Sequence, residues 1–271
     1  MYPQNLHTHG NLCDGKDAYE DTVKKAIELG FTSIGFSEHS TMSYSPRGGL
    51  TPENVDVYKK TVYDLKKKYA GIIDVFCGIE FDMYSETRLD GFEYIIGSMH
   101  YFNLNGEMVA FDRPLETVLD VIKNHFGGDA LKYAKTYYEQ IIELPSYAKG
   151  CDIVGHYDIL AKNNQLFRFI DEDDKTYRAY ALEAVRALSK RVGIFEINTG
   201  AIARGYRSTA YPAPFILKEI KKCGCDVTIS SDCHDKNYLN FKFDEATSLA
   251  KECGFNSAVI LTRDGFKPIG L

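Results

Sequence analysis

Short apolar segments alternate with amphipathic segments along the whole chain of 271 residues. The apolar segments are rich in residues that favour strands, and they cover 3–7, 32–37, 72–80, 92–100, 151–156, 192–198, 226–232 and 258–261. Between them apolar residues recur every three or four positions, as Val55, Tyr58 and Val62 do, which predicts helices. Strands that alternate with helices form parallel sheets with crossover helices. Seven or eight such units predict an α/β fold of the TIM-like barrel type.

The helical segments are expected at 17–29, 51–69, 114–124, 129–148, 174–191, 211–222 and 244–253. Thr51 is a candidate N-cap with Pro52 at the first helical position, and Gly30 and Gly254 follow helix ends where a left-handed residue is favoured. No linker rich in proline or serine divides the chain. We therefore expect a single domain over residues 1–271, with longer insertions at 41–50 and 160–173.

Composition and charge argue against several classes of function. The chain has 32 Lys and Arg against 38 Asp and Glu, a net charge of −6, which argues against a nucleic-acid partner because such proteins are usually basic. Its seven cysteines include no Cys-x-x-Cys pair. The N-terminus does not resemble a signal peptide, and no apolar run approaches the roughly 20 residues of a membrane span. We expect a cytoplasmic protein with no membrane partner and with reduced cysteines.

Six of the seven histidines lie at or just after the end of a predicted strand, and carboxylates share these positions. In a parallel barrel these ends open onto one face, where active sites form. His125 differs, because it ends a helix before Gly127, where a cation suits the helix dipole. The residues expected to converge in one pocket are His7, His9, Asp14, Glu38, His39, Glu80, His100, His156, Glu196, Asp232 and His234.

The spacing of these residues favours metal binding. His7 and His9 are two positions apart, as are Asp232 and His234, so each pair leaves one face of an extended segment. Imidazole and carboxylate bind Zn, Fe and Mn. The count exceeds the four ligands of a tetrahedral zinc ion, so two or three divalent ions with a bridging carboxylate fit better. Such clusters activate a bridging water and neutralise an attacked phosphoryl group.

Residues beside the expected ligands have other predicted roles. Strand alternation turns Cys233 and Glu38 away from the pocket, so packing and support are the expectations for them. Glu196 and Asn198 end the sixth strand, and they either line the pocket or hold a loop. Four cations on loops at the open face are either phosphate ligands or surface charges, because guanidinium and ammonium groups bind phosphate: Arg47, Lys162, Arg204 and Arg207.

The motifs resemble those of the PHP (polymerase and histidinol phosphatase) superfamily, and they occur in the same order. They are His7-Thr8-His9, Ser37-Glu38-His39, Gly78-Ile79-Glu80, Gly97-Ser98-Met99-His100, Gly155-His156 and Asp232-Cys233-His234. Residues 6–15 and 34–39 resemble the histidinol-phosphatase branch, as does the size of the chain. The resemblance implies a distorted seven-stranded (β/α) barrel with a trinuclear metal site. It also implies hydrolysis of L-histidinol phosphate to L-histidinol and phosphate, late in histidine biosynthesis.

The resemblance also implies which residues bind each metal. One ion would take His7, His9, Glu80 and Asp232, a second Glu80, His100 and His156, and a third Asp14, His39 and His234. Some members of the family have a histidine near the position that corresponds to Asp14. Glu80 would bridge two ions, and Asp232 or His234 would assist the leaving alcohol. Lys162 follows the Gly-His motif and Arg204 follows residues 196–200; these two, with Arg207 and Asn198, are the candidates for substrate binding.

Three alternatives remain open at this point. A PHP phosphoesterase acting on nucleotides or short oligonucleotides would have the same ligands. An amidohydrolase-like enzyme often uses a bridging lysine, where this chain has Glu80. A degenerate barrel without catalysis would have lost ligands, and here the set is intact. The insertion at 41–50 is either a lid or a surface loop, and the sequence leaves the oligomeric state open.

Overall fold

A computed structural model describes residues 2–45 and 48–271. The strands are β1 (Gln4–Asn5), β2 (Ser33–Phe36), β3 (Asp74–Asp82), β4 (Tyr94–Ser98), β5 (Tyr101–Leu104), β6 (Glu107–Ala110), β7 (Ile153–Val154), β8 (Ile194–Asn198), β9 (Asp226–Ser230), β10 (Ser257–Thr262) and β11 (Gly265–Gly270). The helices are α1 (Tyr19–Glu28), α2 (Pro52–Lys68), α3 (Leu115–Phe126), α4 (Ala130–Ile141), α5 (Leu144–Tyr147), α6 (Lys175–Leu188), α7 (Gly200–Ala203), α8 (Pro214–Lys222) and α9 (Phe243–Glu252). Short 3₁₀ helices cover Ile159–Ala161 and Lys236–Tyr238.

Seven parallel strands form a nearly closed barrel. Their order is β1-β2-β3-β4-β7-β8-β9. Just beyond β1 and β9, Thr8 and Cys233 form a parallel bridge, in which the His9 amide donates to the Cys233 carbonyl over 2.8 Å. This bridge joins the two ends of the sheet on the side where the strands end. The predicted TIM-like (β/α) barrel is confirmed, and on these contacts we propose that residues 1–271 form one domain.

The eighth predicted strand, at 258–261, is a strand but does not join the barrel. It belongs to β10, which pairs antiparallel with β11. Both polar atoms of the Gln4 side chain bond to the Leu261 backbone over 2.8 Å, which fixes this hairpin to the beginning of β1. Leu261 packs with Leu6, Phe76 and other residues inside the barrel. The hairpin therefore covers the amino end of the barrel, opposite the histidines.

The predicted helices form, with one break. Residues 129–148 divide into α4 and α5, because Pro145 has no amide hydrogen to donate to the Ile141 carbonyl, where α4 ends. Gly30 and Gly254 have φ angles of 76° and 95°, as predicted for residues after helix ends. Across residues 2–45 and 48–271, none of the helices has both the length and the apolar character that a membrane span requires.

The hairpin of β5 and β6 is missing from the sequence prediction. Asn105 and Gly106 form its turn, with φ angles of 55° and 93°. Two positive φ angles in a two-residue loop define a type I′ turn, for which Asn-Gly is a preferred sequence. The signal was therefore present between two short alternating segments. The hairpin follows β4 directly and returns the chain to the barrel mouth.

The barrel interior contains a tyrosine that requires two glycines. Tyr94 is buried, and its hydroxyl donates to the Phe36 carbonyl over 2.9 Å. A Cβ atom at Gly78 would lie 2.2 Å from the Tyr94 ring, and one at Gly35 would lie 2.3 Å from the Tyr94 hydroxyl oxygen. These contacts are too short, so β2 and β3 need glycine beside Tyr94.

Replacing Gly78 by alanine is expected to lower the free energy of unfolding by about 2 kcal/mol, the usual cost of overpacking a core. Gly193→Ala is the matched control, because a Cβ at Gly193 meets no atom within 4 Å and its φ is not in the left-handed region. Urea unfolding of the chelated proteins measures both changes. Equal unfolding midpoints for the two variants would contradict the packing argument.

Candidate metal centre

The carboxyl end of the barrel brings together all nine side chains that were predicted to bind metals. His7 and His9 follow β1, His39 follows β2, and Glu80 lies in β3. His100 follows β4, His156 follows β7, Asp232 and His234 follow β9, and Asp14 lies in the loop after β1. Their ligand atoms form groups within 4.8 Å of one another: His9, Asp14, His39 and His234; His7, His9 and Glu80; His7, His156 and Asp232; and His39, Glu80 and His100.

Glu80 lies at the centre of these groups, and its two carboxylate oxygens face different histidines. Oε2 lies 3.3 Å from His7 Nε2 and 3.7 Å from His9 Nε2. Oε1 lies 2.8 Å from His156 Nε2 and 3.5 Å from His100 Nε2. A carboxylate in this position can share its oxygens between two cations. The arrangement matches a bridging ligand.

Asp232 lies on the other side of the first two histidines. Its Oδ1 is 3.3 Å from His9 Nε2 and 3.7 Å from His7 Nε2. Its Oδ2 accepts a hydrogen bond from Arg204 Nη2 over 2.7 Å. Its φ angle of 47° is uncommon for a residue other than glycine, and such backbone strain often occurs at functional sites. Asp232 therefore connects the histidine cluster to a guanidinium group.

Asp14 belongs to an outer group. Its Oδ2 lies 3.1 Å from His234 Nε2 and 3.6 Å from His39 Nε2. The Asp14 side chain is 46% exposed, whereas those of His7 and Glu80 are 0% and 1% exposed. The three residues that the family pattern grouped around a third ion thus lie together, at the solvent side of the cluster.

The buried carboxylates of the cluster require positive charge nearby. Burial opposes a charged imidazole at His7, but Glu196, Glu80 and Asp232 outweigh it and raise the His7 pKa to about 10. Burial also opposes a charged carboxylate at Glu80, yet the surrounding histidines hold its pKa well below the usual range. The buried carboxylates are therefore stabilised by positive charge, which protons or metal cations supply.

The donor atoms also fit metal ions. His7 Nε2, His9 Nε2 and Glu80 Oε2 are buried and form no hydrogen bond within the described structure. Buried polar atoms without hydrogen bonds are rare in folded proteins. Nitrogen and carboxylate oxygen in this mixture are ligands for Zn, Fe and Mn. The residues present therefore fit several divalent ions.

Carboxylates outside the cluster orient its histidines. Glu196 Oε1 lies 2.6 Å from His7 Nδ1, and its Oε2 accepts from the His156 amide over 2.7 Å. Asn198 donates to the same Oε2 over 2.9 Å and accepts from the Gly200 amide. Glu196 thus holds two ligands, and Asn198 holds Glu196. Hydrogen-bonded carboxylates of this kind fix the tautomer and direction of a ligating histidine.

Asp82 orients His100 in the same way, although it is not among the predicted site residues. Its Oδ2 lies 3.0 Å from His100 Nδ1, and its Oδ1 accepts from the Tyr44 hydroxyl over 2.6 Å. The signal was its position in β3, two residues after Glu80 and therefore on the same face. Tyr44 lies in the 41–50 segment, so this segment contacts a candidate ligand through Asp82.

Asp82→Asn is expected to weaken metal binding by about 10-fold to 100-fold, the range found for carboxylates that orient ligating histidines. Competition with a coloured chelator measures the affinity. Asp120→Asn, at an exposed position on α3, is the control and is expected to bind metal like the unsubstituted protein. Unchanged affinity in Asp82→Asn would show that the His100 contact does not control metal binding.

Comparison with known proteins agrees with this geometry. The PHP domain family matches residues 5–200. The chain belongs to the PHP domain family. Similar proteins are the probable histidinol-phosphatases of Schizosaccharomyces pombe, 24% identical over 96% of this chain and 90% of that protein, and of Deinococcus radiodurans, 25% identical over 92% of each. The histidinol-phosphatase of Bacillus subtilis is 21% identical over 90% of this chain and 98% of that protein.

Two solved structures share the fold of this PHP domain. A putative histidinol phosphatase from Listeria monocytogenes superposes with a TM-score of 0.78 at 19% identity, covering 89% of this chain and 99% of that one. The histidinol phosphate phosphatase of Lactococcus lactis, solved with zinc, L-histidinol and phosphate, gives a TM-score of 0.73 at 18% identity over 98% of each chain.

The cations predicted at the mouth of the PHP domain differ in placement. Lys162 pairs with Asp112, and Arg204 with Asp232. Arg207 is not at the open face: its side chain is 3% exposed and stacks on Tyr211, with ring centre and guanidinium carbon 5.0 Å apart. Its charge is directed into the protein, towards Asp158. Arg47 lies outside the described residues.

A cleft of about 290 Å³ opens beside the cluster. Its lining includes Asp14, His39, Met42, Ser45, Gly48, His100, Tyr101, Asp112 and Arg113. Tyr101 begins β5, and Asp112 and Arg113 follow β6, so the missed hairpin supplies one wall of the cleft. Arg113 Nη2 donates to the Tyr101 hydroxyl over 2.7 Å. The described part of the 41–50 segment lines another wall.

Proposed function

We propose that this chain is a histidinol-phosphatase, which hydrolyses L-histidinol phosphate to L-histidinol and inorganic phosphate with the help of divalent metal ions. The observation that carries the proposal is the convergence of nine histidine and carboxylate side chains around Glu80 in a PHP domain. Relatives named histidinol-phosphatase, which match this chain over nearly its whole length, support the choice of substrate.

The metal ligands are assigned in three groups. Following the family pattern, His7, His9, Glu80 and Asp232 would hold one ion, Glu80, His100 and His156 a second, and Asp14, His39 and His234 a third; the contacts among these side chains support this division. When bound, the ions supply Lewis acidity and lower the pKa of water. Glu80 would serve both of the first two ions, because its two oxygens face different histidines.

The surrounding residues bind and orient the phosphate ester. Arg204 and Lys162 are the cations that neutralise its phosphoryl oxygens. The Arg204 guanidinium is fixed by two hydrogen bonds to Asp232, one to Oδ2 and one of 3.1 Å to the carbonyl. Burial opposes its charge, but Asp232 raises the pKa of Arg204 above its usual value, so it stays charged. A fixed cation stabilises the charge that develops during transfer.

The hydrolysis itself forms one bond to phosphorus and breaks another. A water oxygen attacks phosphorus in line and the water gives up one proton. The bond between phosphorus and the ester oxygen breaks, and the alkoxide of histidinol takes up one proton, so the products are histidinol and inorganic phosphate. His234 or Asp232 would assist this proton transfer. His234 Nε2 faces Asp14, where it would hold the third ion, so His234 would use Nδ1, which lies 3.5 Å from Asp232 Oδ1. Glu80 would contribute by holding ions in position, and Asp232 would do so as well as orienting Arg204.

Other features support a small substrate and an intracellular location. The net charge is −6, which does not suit a nucleic-acid partner. All seven cysteines are free, as expected in a reducing compartment. We therefore place the enzyme in the cytoplasm, at the histidinol phosphate step of histidine biosynthesis.

Phosphate release from a panel of esters tests the proposal. The panel contains L-histidinol phosphate, sugar phosphates, phosphoserine, phosphotyrosine and adenosine 3′,5′-bisphosphate, each assayed with the zinc-loaded protein. We expect kcat/KM for histidinol phosphate to exceed the others by about 100-fold or more, as discrimination by polar substrate groups allows. A preference for the bisphosphate would instead identify a nucleotide phosphoesterase with the same metal centre.

A further inference from the structure

A partly buried ion pair lies at the edge of the cleft. It joins the carboxylate of Asp112, which follows β6, to the ammonium of Lys162, which follows the short helix Ile159–Ala161. The two side chains are 24% and 12% exposed. Lys162 also lies over the Tyr206 ring, with its Nζ 4.8 Å from the ring centre. Two opposite charges are thus held in contact where the protein surface meets the cleft.

The backbone around Asp112 is anchored on both sides. The Phe111 amide donates to the His100 carbonyl over 3.2 Å, which ties this segment to a candidate metal ligand. The Arg113 carbonyl accepts from Asn163 Nδ2 over 2.9 Å, next to Lys162 in the chain. These bonds fix Asp112 between the metal cluster and the lysine. A site held in this way offers its charge in a defined place.

The spacing of this pair matches a particular kind of phosphate ester. In an ester of a 2-amino alcohol, only two carbons and the ester oxygen separate the ammonium from phosphorus. A protein that binds both charges therefore needs a cation for the phosphate and an anion for the ammonium next to each other. Lys162 and Asp112 are such neighbours, and Asp112 lines the cleft beside His100.

We propose that Asp112 is a specificity-determining residue that binds the ammonium group of a 2-amino alcohol phosphate while Lys162 turns to its phosphate. The substrate's two charges then replace the Asp112–Lys162 contact. An ester without the amine leaves the Asp112 carboxylate without a cation once Lys162 has turned away. This inference rests on the proposed function, because L-histidinol phosphate is an ester of this class.

The test compares two esters and two proteins. L-Histidinol phosphate and its amine-free analogue, 3-(imidazol-4-yl)propyl phosphate, are assayed with the zinc-loaded unsubstituted protein and with Asp112→Asn. We expect the unsubstituted protein to prefer the amine ester by about 30-fold in kcat/KM, as the loss of a charged hydrogen bond predicts. In Asp112→Asn this ratio is expected to fall to within about 3-fold, mainly through KM.

A control variant and a folding check accompany the comparison. Asp90→Asn removes an exposed carboxylate that pairs with Arg88 outside the cleft, so it is expected to keep the full ratio. Metal content and circular dichroism show whether Asp112→Asn folds. A merely structural ion pair would lower both rates alike and leave the ratio unchanged, which would overturn the proposal.

A binding measurement separates this proposal from the proposed function. Titration calorimetry compares 3-aminopropylphosphonate, which has the same spacing of charges, with propylphosphonate; neither is hydrolysed. Tighter binding of the amine compound that disappears in Asp112→Asn supports the role of Asp112, even if histidinol phosphate proves not to be a substrate. Equal affinities in the unsubstituted protein overturn it, even if histidinol phosphate is hydrolysed.

Discussion

Glu80→Gln is expected to lower kcat for phosphate release by about 10³-fold or more, the scale of losing a main source of transition-state charge stabilisation. The substitution keeps the volume of the side chain but replaces an anionic oxygen by an amide nitrogen. One side of the carboxylate, towards either His7 or His156, then lacks a ligand oxygen. Bound metal is expected to fall by at least one ion per chain.

Metal analysis and kinetics on the same samples test this expectation. Glu245→Gln, on the exposed side of α9, is the matched control and is expected to keep the metal content and rate of the unsubstituted protein. Circular dichroism shows whether each variant is folded. If Glu80→Gln is folded, fully metal-loaded and as active as the unsubstituted protein, the bridging role is refuted.

The second large effect is expected at Arg204. Arg204→Met removes a fixed guanidinium that pairs with Asp232 and borders the cluster. We expect kcat/KM for histidinol phosphate to fall by about 100-fold, as the loss of a charged contact of 2–5 kcal/mol predicts. Arg204→Lys keeps the positive charge but cannot donate the same pair of hydrogen bonds. Its activity is therefore expected to lie between those of Arg204→Met and the unsubstituted protein.

Two readouts separate a phosphate contact from support of Asp232. Inhibition by inorganic phosphate is expected to weaken in Arg204→Met, whereas metal content is expected to stay unchanged. Arg186→Met, which removes a guanidinium paired with Glu219 outside the barrel, serves as the control. Loss of metal with unchanged phosphate inhibition would show that Arg204 only holds Asp232.

The metal cluster was predictable because it follows from the barrel. Eight of the nine predicted ligands lie at or just after a strand end, and Asp14 lies in the loop after β1. Parallel strands bring their ends to one face whatever their separation in the chain. The residues that orient the ligands were harder to identify. Asp82 is one residue in an apolar strand, and only the position of His100 shows that it accepts a hydrogen bond there. Glu196 was identified from the sequence, but only its contact with His7 shows that it faces the pocket and does not merely hold a loop.

The cleft was less predictable than the cluster, because its walls come from insertions. Asn105 and Gly106 carried a hairpin signal, yet the two strands are only four residues each. Arg207 was predicted wrongly for a different reason, because a cation in a loop was expected at the surface. Its burial depends on contacts with the Tyr211 ring and the Asp158 carboxylate, which only the folded structure shows.

Removal and return of metal test the central claim most directly. The protein is stripped with a chelator, shown to be metal-free by mass spectrometry, and titrated with zinc while phosphate release from histidinol phosphate is followed. We predict a rate below about 1% of the loaded rate without metal, and recovery as two or three ions bind per chain. A metal-free protein that keeps the loaded rate would contradict the account.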